Sequence, residues 1–384
     1  MILYELIDYG TLKLIWWVLL GVLLIGFAAT DGFDMGVAVL LPAAARSDVQ
    51  RRVAINTIGP VWEGNQVWFI LGGGAIFAAW PLLYAVSFSG FYLAMFVILA
   101  ALILRPVGFK YRSKRPDPRW RAGWDWALFV GGFVPALIFG VAVGNVLQGV
   151  PFRLTDEMRM IYEGTFFGLL NPFALLCGLL SVAMLVMHGG AWLALKAAGT
   201  VGERGRTYGS CAALAVIALF ALNGLILWLF VKGYRITSPI DPNMPSNPLL
   251  KTVTREGASW FANYGKYPWM LIAPLLGFAG AFGAIYGMRA HREVATLMSS
   301  TLSVLGIIST VGLAMFPFIL PSSIDPRSSL VVWDSASSHS TLFNMLVVTA
   351  VFLPIVAAYT AWVYRVLWGK VDEEAIRRGE ETVY

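Results

Sequence analysis

Charged side chains are scarce in this sequence. Only 13% of the 384 residues are charged, whereas 58% are hydrophobic. Soluble domains carry about 25% charged residues, so a water-soluble globular fold is excluded and a membrane protein is indicated. The apolar runs are long and continuous rather than short and alternating, which favours membrane-spanning helices over a β-barrel.

Histidine and cysteine are also rare, which limits metal and haem chemistry. The three histidines, His188, His291 and His339, have no partner at a ligand spacing, and their number excludes a bundle that binds two haems through four histidines. Cys177 and Cys211 lie in apolar runs without a CxxC spacing, where we expect small packing residues. The thirteen methionines are scattered among apolar residues and are interpreted in the same way. The sequence gives no support for a metal or haem site on this chain.

The formal net charge of +6 comes from basic residues that lie between apolar segments. We interpret them as topology signals and expect no nucleic-acid partner. They concentrate in the gaps after the odd-numbered apolar segments, which predicts an N-terminus outside the cell and a C-terminus in the cytoplasm. No basic stretch or small-residue cleavage site follows Met1, so the first apolar segment is expected to be a retained helix.

Apolar stretches separated by polar breaks predict nine membrane spans in one integral-membrane domain, residues 1–384. Runs of about 20 residues are long enough to cross the hydrocarbon core of a bilayer as helices. Only Trp80-Pro81 and Ser87 interrupt the second and third spans, so a helical hairpin with a very short turn is expected there. The predicted spans are residues 12–41, 64–84, 86–107, 124–147, 165–188, 208–232, 264–288, 295–317 and 339–366. The expected fold class is an all-α polytopic membrane protein.

The first span contains two acids. Asp31 and Asp34 are three residues apart, so both carboxylates lie on one side of the helix. An ionisable group at membrane depth costs about 2.5 kcal/mol or more, and we expect it to face a partner, a cavity or water. Gly32 and Gly36 form a small-xxx-small pair that lets another helix approach closely. Asp31 is interpreted as part of a buried polar path; Asp34 either joins that path, or caps a helix break or pairs with a local arginine.

Two more charged residues are predicted at the same depth. Glu63 lies at the start of the second span and Arg105 at the end of the third, both on the side predicted to be cytoplasmic. We therefore expect Asp31, Asp34, Glu63 and Arg105 to converge. A hydrated cluster of this kind could pass protons. The alternative is a static pair between Arg105 and a carboxylate that pins the helices together.

Several strings resemble subunit II of cytochrome bd-type quinol oxidases. They cover nearly the whole length, and several are unusual in combination. The strings are Trp16-Trp17, Thr30–Gly36, Trp62–Trp68, Ala79–Pro81, Phe88–Tyr92, Arg105–Phe109 with Tyr111–Lys114, Gly149–Phe152, Leu170–Phe173, Met315–Phe318 with Pro321–Ser323, and Trp333-Asp334.

The resemblance implies two four-helix bundles plus one peripheral helix, in a bacterial inner membrane. It implies pairing with a subunit I that carries the haems, b and d or b-type only, and the site of quinol oxidation. Small single-helix accessory subunits are further expected partners, and some members hold a structural quinone in subunit II. By similarity, Glu63 and Arg105 take positions on a proton path from the cytoplasm, and Trp68 lies near a lateral oxygen entry. One departure is Lys110, where some members carry an acid.

The predicted function is that of a haem-free second subunit, in a complex that oxidises quinol and reduces oxygen to water. This subunit would support subunit I and contribute to proton uptake and oxygen access, with the catalytic centres on the partner. One alternative is a secondary transporter, although no matched pair of Gly- or Pro-interrupted spans is present. Another is a membrane scaffold whose polar cluster is purely structural.

Overall fold

The computed structural model describes residues 3–378, which are mainly helical. Six short strands and several single 3-10 turns connect the helices. The helices are α1 (Tyr9–Ala44), α2 (Asp48–Ile58), α3 (Trp62–Ala79), α4 (Pro81–Gly90), α5 (Tyr92–Tyr111), α6 (Pro118–Gln148), α7 (Pro172–Lys196), α8 (Gly199–Leu229), α9 (Ala262–Lys266), α10 (Ile272–Arg289), α11 (Glu293–Met315), α12 (His339–Val366) and α13 (Glu373–Arg378). The strands are β1 (Phe152–Leu154), β2 (Met160–Tyr162), β3 (Lys232–Ile236), β4 (Val253–Gly257), β5 (Phe318–Leu320) and β6 (Leu330–Val331).

Eight of these helices are long and apolar enough to cross a membrane: α1, α5, α6, α7, α8, α10, α11 and α12. The first and the last of them start at the same side of the molecule. The ring of Tyr9 stacks on that of His339 with centroids 5.3 Å apart, and the His339 Nε2 lies 2.8 Å from the carbonyl oxygen of Ile7. The side with the start of α1 is called the N-terminal face below, and the side with the end of α12 the C-terminal face.

Helix α3 is a ninth helix that runs between the two faces. At its start Trp62 packs against Phe109 near the end of α5, with ring centroids 5.4 Å apart. At its end the Ala79 carbonyl oxygen accepts a 2.8 Å hydrogen bond from the backbone N–H of Ser337, just before α12. Its 18 residues span about 27 Å, but the polar first turn makes it less apolar than the other eight. The predicted all-α polytopic fold with about nine long helices is therefore confirmed.

The connection between the predicted second and third spans differs from the expectation. Instead of a very short turn, the ten-residue helix α4 separates α3 from α5. Pro81 lacks a backbone N–H and restricts the residue before it, so the chain breaks at Trp80, which has φ −136° and ψ 74°.

The predicted fifth span begins too early. Its first residues, 165–171, form a loop with a 3-10 turn at Phe167–Leu169. Helix α7 starts only at Pro172, because the side chain of Asn171 caps it by accepting a hydrogen bond from the Ala174 N–H at 2.9 Å. Helix α8, which corresponds to the predicted sixth span, starts at Gly199, earlier than the predicted residue 208.

The long helices pack in two groups of four. One group contains α1, α3, α5 and α6, and the other contains α7, α8, α10 and α11. Helices α1 and α6 pack on α7 and join the groups. Helix α12 lies outside both groups and contacts α1 and α3. In its most apolar stretch of 18 residues only 6% of the residues are buried.

Loops on the N-terminal face are held together by three antiparallel strand pairs, β1–β2, β3–β4 and β5–β6. Two buried lysines also tie these loops down. The ammonium group of Lys13 donates to the carbonyl oxygens of Pro242, Met244 and Trp333 at 2.9, 3.0 and 2.7 Å. Lys251 Nζ lies 2.7 Å from a carboxylate oxygen of Asp334. Burial raises the pKa of Asp334 and lowers that of Lys251, and the opposite charge of each partner offsets part of either shift.

This buried pair gives the first prediction. Asp334→Asn should destabilise the loops by about 3 kcal/mol, because the charge of Lys251 is then buried without its partner. The double change Asp334→Leu with Lys251→Met should cost less than the single change, since position 251 then carries no unpaired charge. Thermal unfolding of the purified complex measures both effects, with exposed Asp156→Asn as the control. If the double variant were the less stable of the two, the buried pair would be a net stabilising contact.

Candidate functional site

Arg105 and Asp31 form a buried two-pronged ion pair between α5 and α1. The guanidinium NH1 donates to Asp31 Oδ2 at 3.0 Å, and NH2 donates to Oδ1 at 2.7 Å. Both side chains are almost completely inaccessible, with 1% and 0% exposed. Asp34 follows one turn later on the same side of α1, and its Oδ2 lies 3.9 Å from NH2 of Arg105. The predicted convergence of Asp31, Asp34 and Arg105 is therefore seen in the structure.

Glycines make room for this cluster. A Cβ atom on Gly131 of α6 would lie 2.9 Å from Cγ of Arg105, so a side chain there would push against the arginine. On α1, a Cβ atom on Gly36 would lie 1.9 Å from the carbonyl oxygen of Leu185 in α7. The close helix approach that the Gly32/Gly36 spacing predicts is thus made with α7.

A polar chain extends from Asp34 to the peripheral helix. The amide Nδ2 of Asn65 in α3 donates to Asp34 Oδ2 at 2.8 Å. In turn, the hydroxyl of Tyr364 in α12 donates to Asn65 Oδ1 at 2.5 Å. Sequence analysis missed both residues. Asn65 could have been found in the polar start of α3, whereas nothing in the apolar surroundings of Tyr364 indicates a partner.

The two acids of the cluster have unequal contacts with Arg105. Two carboxylates share one guanidinium, and Asp31 makes both of the short contacts with it. Asp34 Oδ1 is buried and forms no hydrogen bond with residues 3–378. A buried charge without a partner costs several kcal/mol. Asp34 is the acid with the weaker charge partner and the open oxygen, whereas both oxygens of Asp31 are bound to Arg105.

Glu63 does not join the cluster, contrary to the expected convergence. Its side chain is exposed on the surface of this chain, and it forms no ion pair with any residue from 3 to 378. The helix geometry explains the difference. Asn65 faces Asp34, and a residue two positions earlier points about 200° around the helix axis, away from α1.

Trp68 is half-buried beside α1. A Cβ atom on Gly26 would lie 2.8 Å from its ring, so the ring fills the space that this glycine leaves. The next residue, Phe69, packs with Phe27 and Phe139 at centroid distances of 5.1 and 5.6 Å. Lys110 is exposed near the end of α5.

A cavity of about 730 Å³ lies on the C-terminal face, next to the cluster. Its polar lining includes Thr30, Thr57, His188 and Tyr364, and segment 367–371, after α12, forms one wall. That segment is fastened to the end of α7, because the Val371 N–H donates to the carbonyl oxygen of Lys196 at 2.8 Å.

His188 lies at the inner part of this cavity, completely buried. Its Nε2 lies 2.9 Å from the Ala29 carbonyl oxygen, and its Nδ1 lies 2.8 Å from the Ser300 hydroxyl. A carbonyl oxygen only accepts, so Nε2 carries a proton and donates to Ala29, while the Ser300 hydroxyl also donates to the Leu297 carbonyl oxygen at 2.9 Å. Within residues 3–378, no group of three or more His, Cys, Asp or Glu residues could hold a metal ion.

Comparison with known proteins gives the family. The family model for cytochrome bd terminal oxidase subunit II matches residues 12–367. A probable cytochrome oxidase subunit 2 of Haemophilus influenzae is 50% identical, covering 99% of this chain and 100% of its own. Cytochrome bd-I ubiquinol oxidase subunit 2 of Escherichia coli K12 is 47% identical over the same shares.

The fold has a solved counterpart. A chain in the structure of bd oxidase from Geobacillus thermodenitrificans superposes with a TM-score of 0.68 at 15% identity, covering 94% of this chain and 100% of that one. The resemblance found in the sequence is therefore confirmed, and the secondary-transporter alternative is set aside. This chain belongs to the cytochrome bd terminal oxidase subunit II family and is a membrane protein of a bacterial oxidase that also contains a subunit I.

Proposed function

We propose that this subunit conducts protons from the cytoplasm towards its partner subunit, and that Asp34 takes them up and releases them. As subunit II of a bd-type quinol oxidase, the chain belongs to a quinol:oxygen oxidoreductase. Reduction of oxygen to water consumes protons, which a membrane-embedded centre must obtain through polar groups. The pairing of two buried acids with one arginine is the observation that carries this proposal.

The partner subunit holds the redox centres in this proposal. Haems b and d, or b-type haems only, lie on subunit I, where quinol is oxidised. Both ring nitrogens of His188 form hydrogen bonds, one with Ser300 and one with Ala29. Neither nitrogen is open to bind a haem iron, which supports a haem-free role for this histidine. Small single-helix accessory subunits complete the complex, and a structural quinone, where the complex holds one, takes no part in the proton route.

The orientation supports uptake from the inside. We place the chain in the bacterial inner membrane with its N-terminus outside and its C-terminus in the cytoplasm, because the C-terminal face carries most basic residues. An ionic network on that face joins α2, α5 and α6. In it, Arg112 bonds to Asp48 and Asp125, at 2.9 and 2.5 Å. The cavity then opens towards the cytoplasm.

Glu63 and Trp68 have separate places in this scheme. The exposed carboxylate of Glu63 would face the partner subunit and pass protons across the subunit boundary. Asp31 and Arg105 would hold the charge balance around Asp34, and Trp68 would border a lateral oxygen entry beside α1. The exposed apolar residues around it, Val67, Ile70 and Leu71, support an apolar access surface.

Asp34→Asn tests the proposed function. Asparagine keeps the shape but has no carboxyl group that can store a proton between uptake and release, so turnover and proton uptake should fall together by about a hundredfold. Haem content and assembly should stay unchanged. Oxygen consumption per haem in reconstituted vesicles, with internal and external pH followed separately, measures the effect.

The matched control is Glu157→Gln, an exposed acid on the N-terminal face, which should leave turnover unchanged. An assembled Asp34→Asn complex with wild-type turnover would contradict the proposal. The cluster would then be a structural pin, as in the scaffold alternative.

A further inference from the structure

Helix α12 reaches the interior through a polar side chain near its C-terminal end. It lies outside both four-helix groups, and among its residues only Leu342 is buried. Near its C-terminal end, however, Tyr364 points inwards and its hydroxyl bonds to Asn65. Hydrogen bonds between helices help to hold membrane helices together, and this one also connects α12 to the acid cluster.

Tyr364 lies between the cavity and the ion cluster. On one side it lines the cavity, and on the other it reaches Asp34 through a single amide group. Aromatic contacts fix its ring. Trp192 meets it edge-on with centroids 5.9 Å apart, and Phe33 stacks on Trp192 at 3.9 Å. The hydroxyl is therefore held at the boundary between the cavity and the buried acids.

Several polar side chains besides Tyr364 line the cavity and can bind water. Thr30, Asn56, Thr57 and Thr301 contribute polar groups to its lining. Residues from the end of α7 and from segment 367–371 border it on the C-terminal face. The rest of the lining is mostly apolar, and the volume of about 730 Å³ has room for many water molecules, each of which takes about 30 Å³ in the liquid.

We propose that this cavity is the proton inlet of the subunit, and that Tyr364 and Asn65 form the link that delivers protons from its water to Asp34. The proposal rests on the proposed function and extends it by naming the entry. Neither residue changes its net charge after a complete passage.

The proton balance is closed. A proton from cavity water adds to the Tyr364 oxygen while the hydroxyl proton moves to Asn65 Oδ1, and an Asn65 Nδ2 proton moves to Asp34. Asn65 is then in its imidic-acid form. A half-turn of this group points its O–H at Asp34 and its imine nitrogen at Tyr364, so the next passage returns Asn65 to the amide, and a second half-turn restores the starting hydrogen bonds. One proton arrives at Asp34 in each passage, and no electron moves.

Tyr364→Phe tests the link, because it keeps the ring and removes only the hydroxyl. Turnover should fall about tenfold, with a larger solvent deuterium isotope effect and unchanged haem content. Reduction of the haems by quinol without oxygen should keep its rate, since no proton from the cytoplasm is then needed. The matched control is Tyr359→Phe on the same helix, an exposed tyrosine that should leave every measurement unchanged.

A second measurement tests water access independently of Tyr364. Thr301 lines the cavity, so Thr301→Cys in a Cys211→Ser background should react with a charged methanethiosulfonate reagent from the cytoplasmic side, and turnover should fall. Thr310→Cys, nine residues along the same helix towards the N-terminal face, should not react from that side. A Thr301→Cys residue that stays unreactive would overturn the inlet.

Different experimental results would overturn the two proposals. If Asp34→Asn stops proton uptake while an assembled Tyr364→Phe complex keeps full turnover and an ordinary isotope effect, the link is overturned and the proposed function stands. If both variants keep full turnover, the proposed function fails as well.

Discussion

Replacing Arg105 with methionine is expected to abolish assembly of the oxidase. The change leaves Asp31 and Asp34 buried without a cation, and breaking a buried pair in this way costs about 3–5 kcal/mol. That cost is a large part of the stability of an ordinary domain. We expect less than about 5% of the wild-type yield of complex. The haem Soret absorbance of purified membranes, normalised to total protein, measures it.

A second variant separates lost charge balance from lost packing. Arg105→Met with Asp31→Asn removes both members of the short pair, so that only Asp34 remains and can be neutralised by one proton. We expect this double variant to recover a substantial part of the assembly. Exposed Arg159→Met is the control for a general effect of losing an arginine. If the single and double variants failed equally, the bulk of the arginine, rather than its charge, would be the essential feature.

Gly36→Ala is the second change with a large expected effect. Its Cβ atom would lie 1.9 Å from the Leu185 carbonyl oxygen and 2.9 Å from the backbone nitrogen of Gly189. Both are backbone atoms, so no side-chain rotation relieves the clash, and α1 must move away from α7. The cost should reach the upper end of about 1–3 kcal/mol or exceed it. Loss of the complex on mild heating in detergent, followed by size-exclusion chromatography, measures this.

The control for Gly36 is Gly224→Ala in the last two turns of α8, where a Cβ atom meets nothing within 4 Å. That change should be neutral or slightly stabilising, because alanine favours a helix by up to about 1 kcal/mol over glycine. Gly36→Ala with wild-type thermal stability would mean that α1 and α7 can separate without loss of assembly.

The sequence could predict part of the site because the relevant signals are local. The three-residue spacing places Asp31 and Asp34 on one side of α1 whatever the rest of the chain does. Arg105 could be predicted at their depth because it lies near the end of the third span, on the side of the membrane where the first span also ends. Glu63 could not be placed, since its direction depends on the helix rotation that sets Asn65 against Asp34.

The same limit applies to the helices. Apolar length predicts that a span exists, and α12 begins and ends at the residues expected from the sequence. The start of α7 instead depends on the Asn171 cap, and that of α8 lies in a polar segment where hydropathy gives no signal. Tyr364 was missed for a related reason. Its partner lies on a distant helix, and only three-dimensional packing brings the two together.

The attachment of α12 has a consequence for the variation that this helix can tolerate. It is fastened at one end through His339 and through the Leu342 carbonyl oxygen, which accepts from Trp16 Nε1 at 2.9 Å. At the other end Tyr364 and segment 367–371 hold it. Between these points its side chains are mostly exposed, including Val351, Ile355 and Tyr359. Natural variants should therefore exchange one apolar residue for another freely in the middle of α12, while substitutions at its two ends should be selected against.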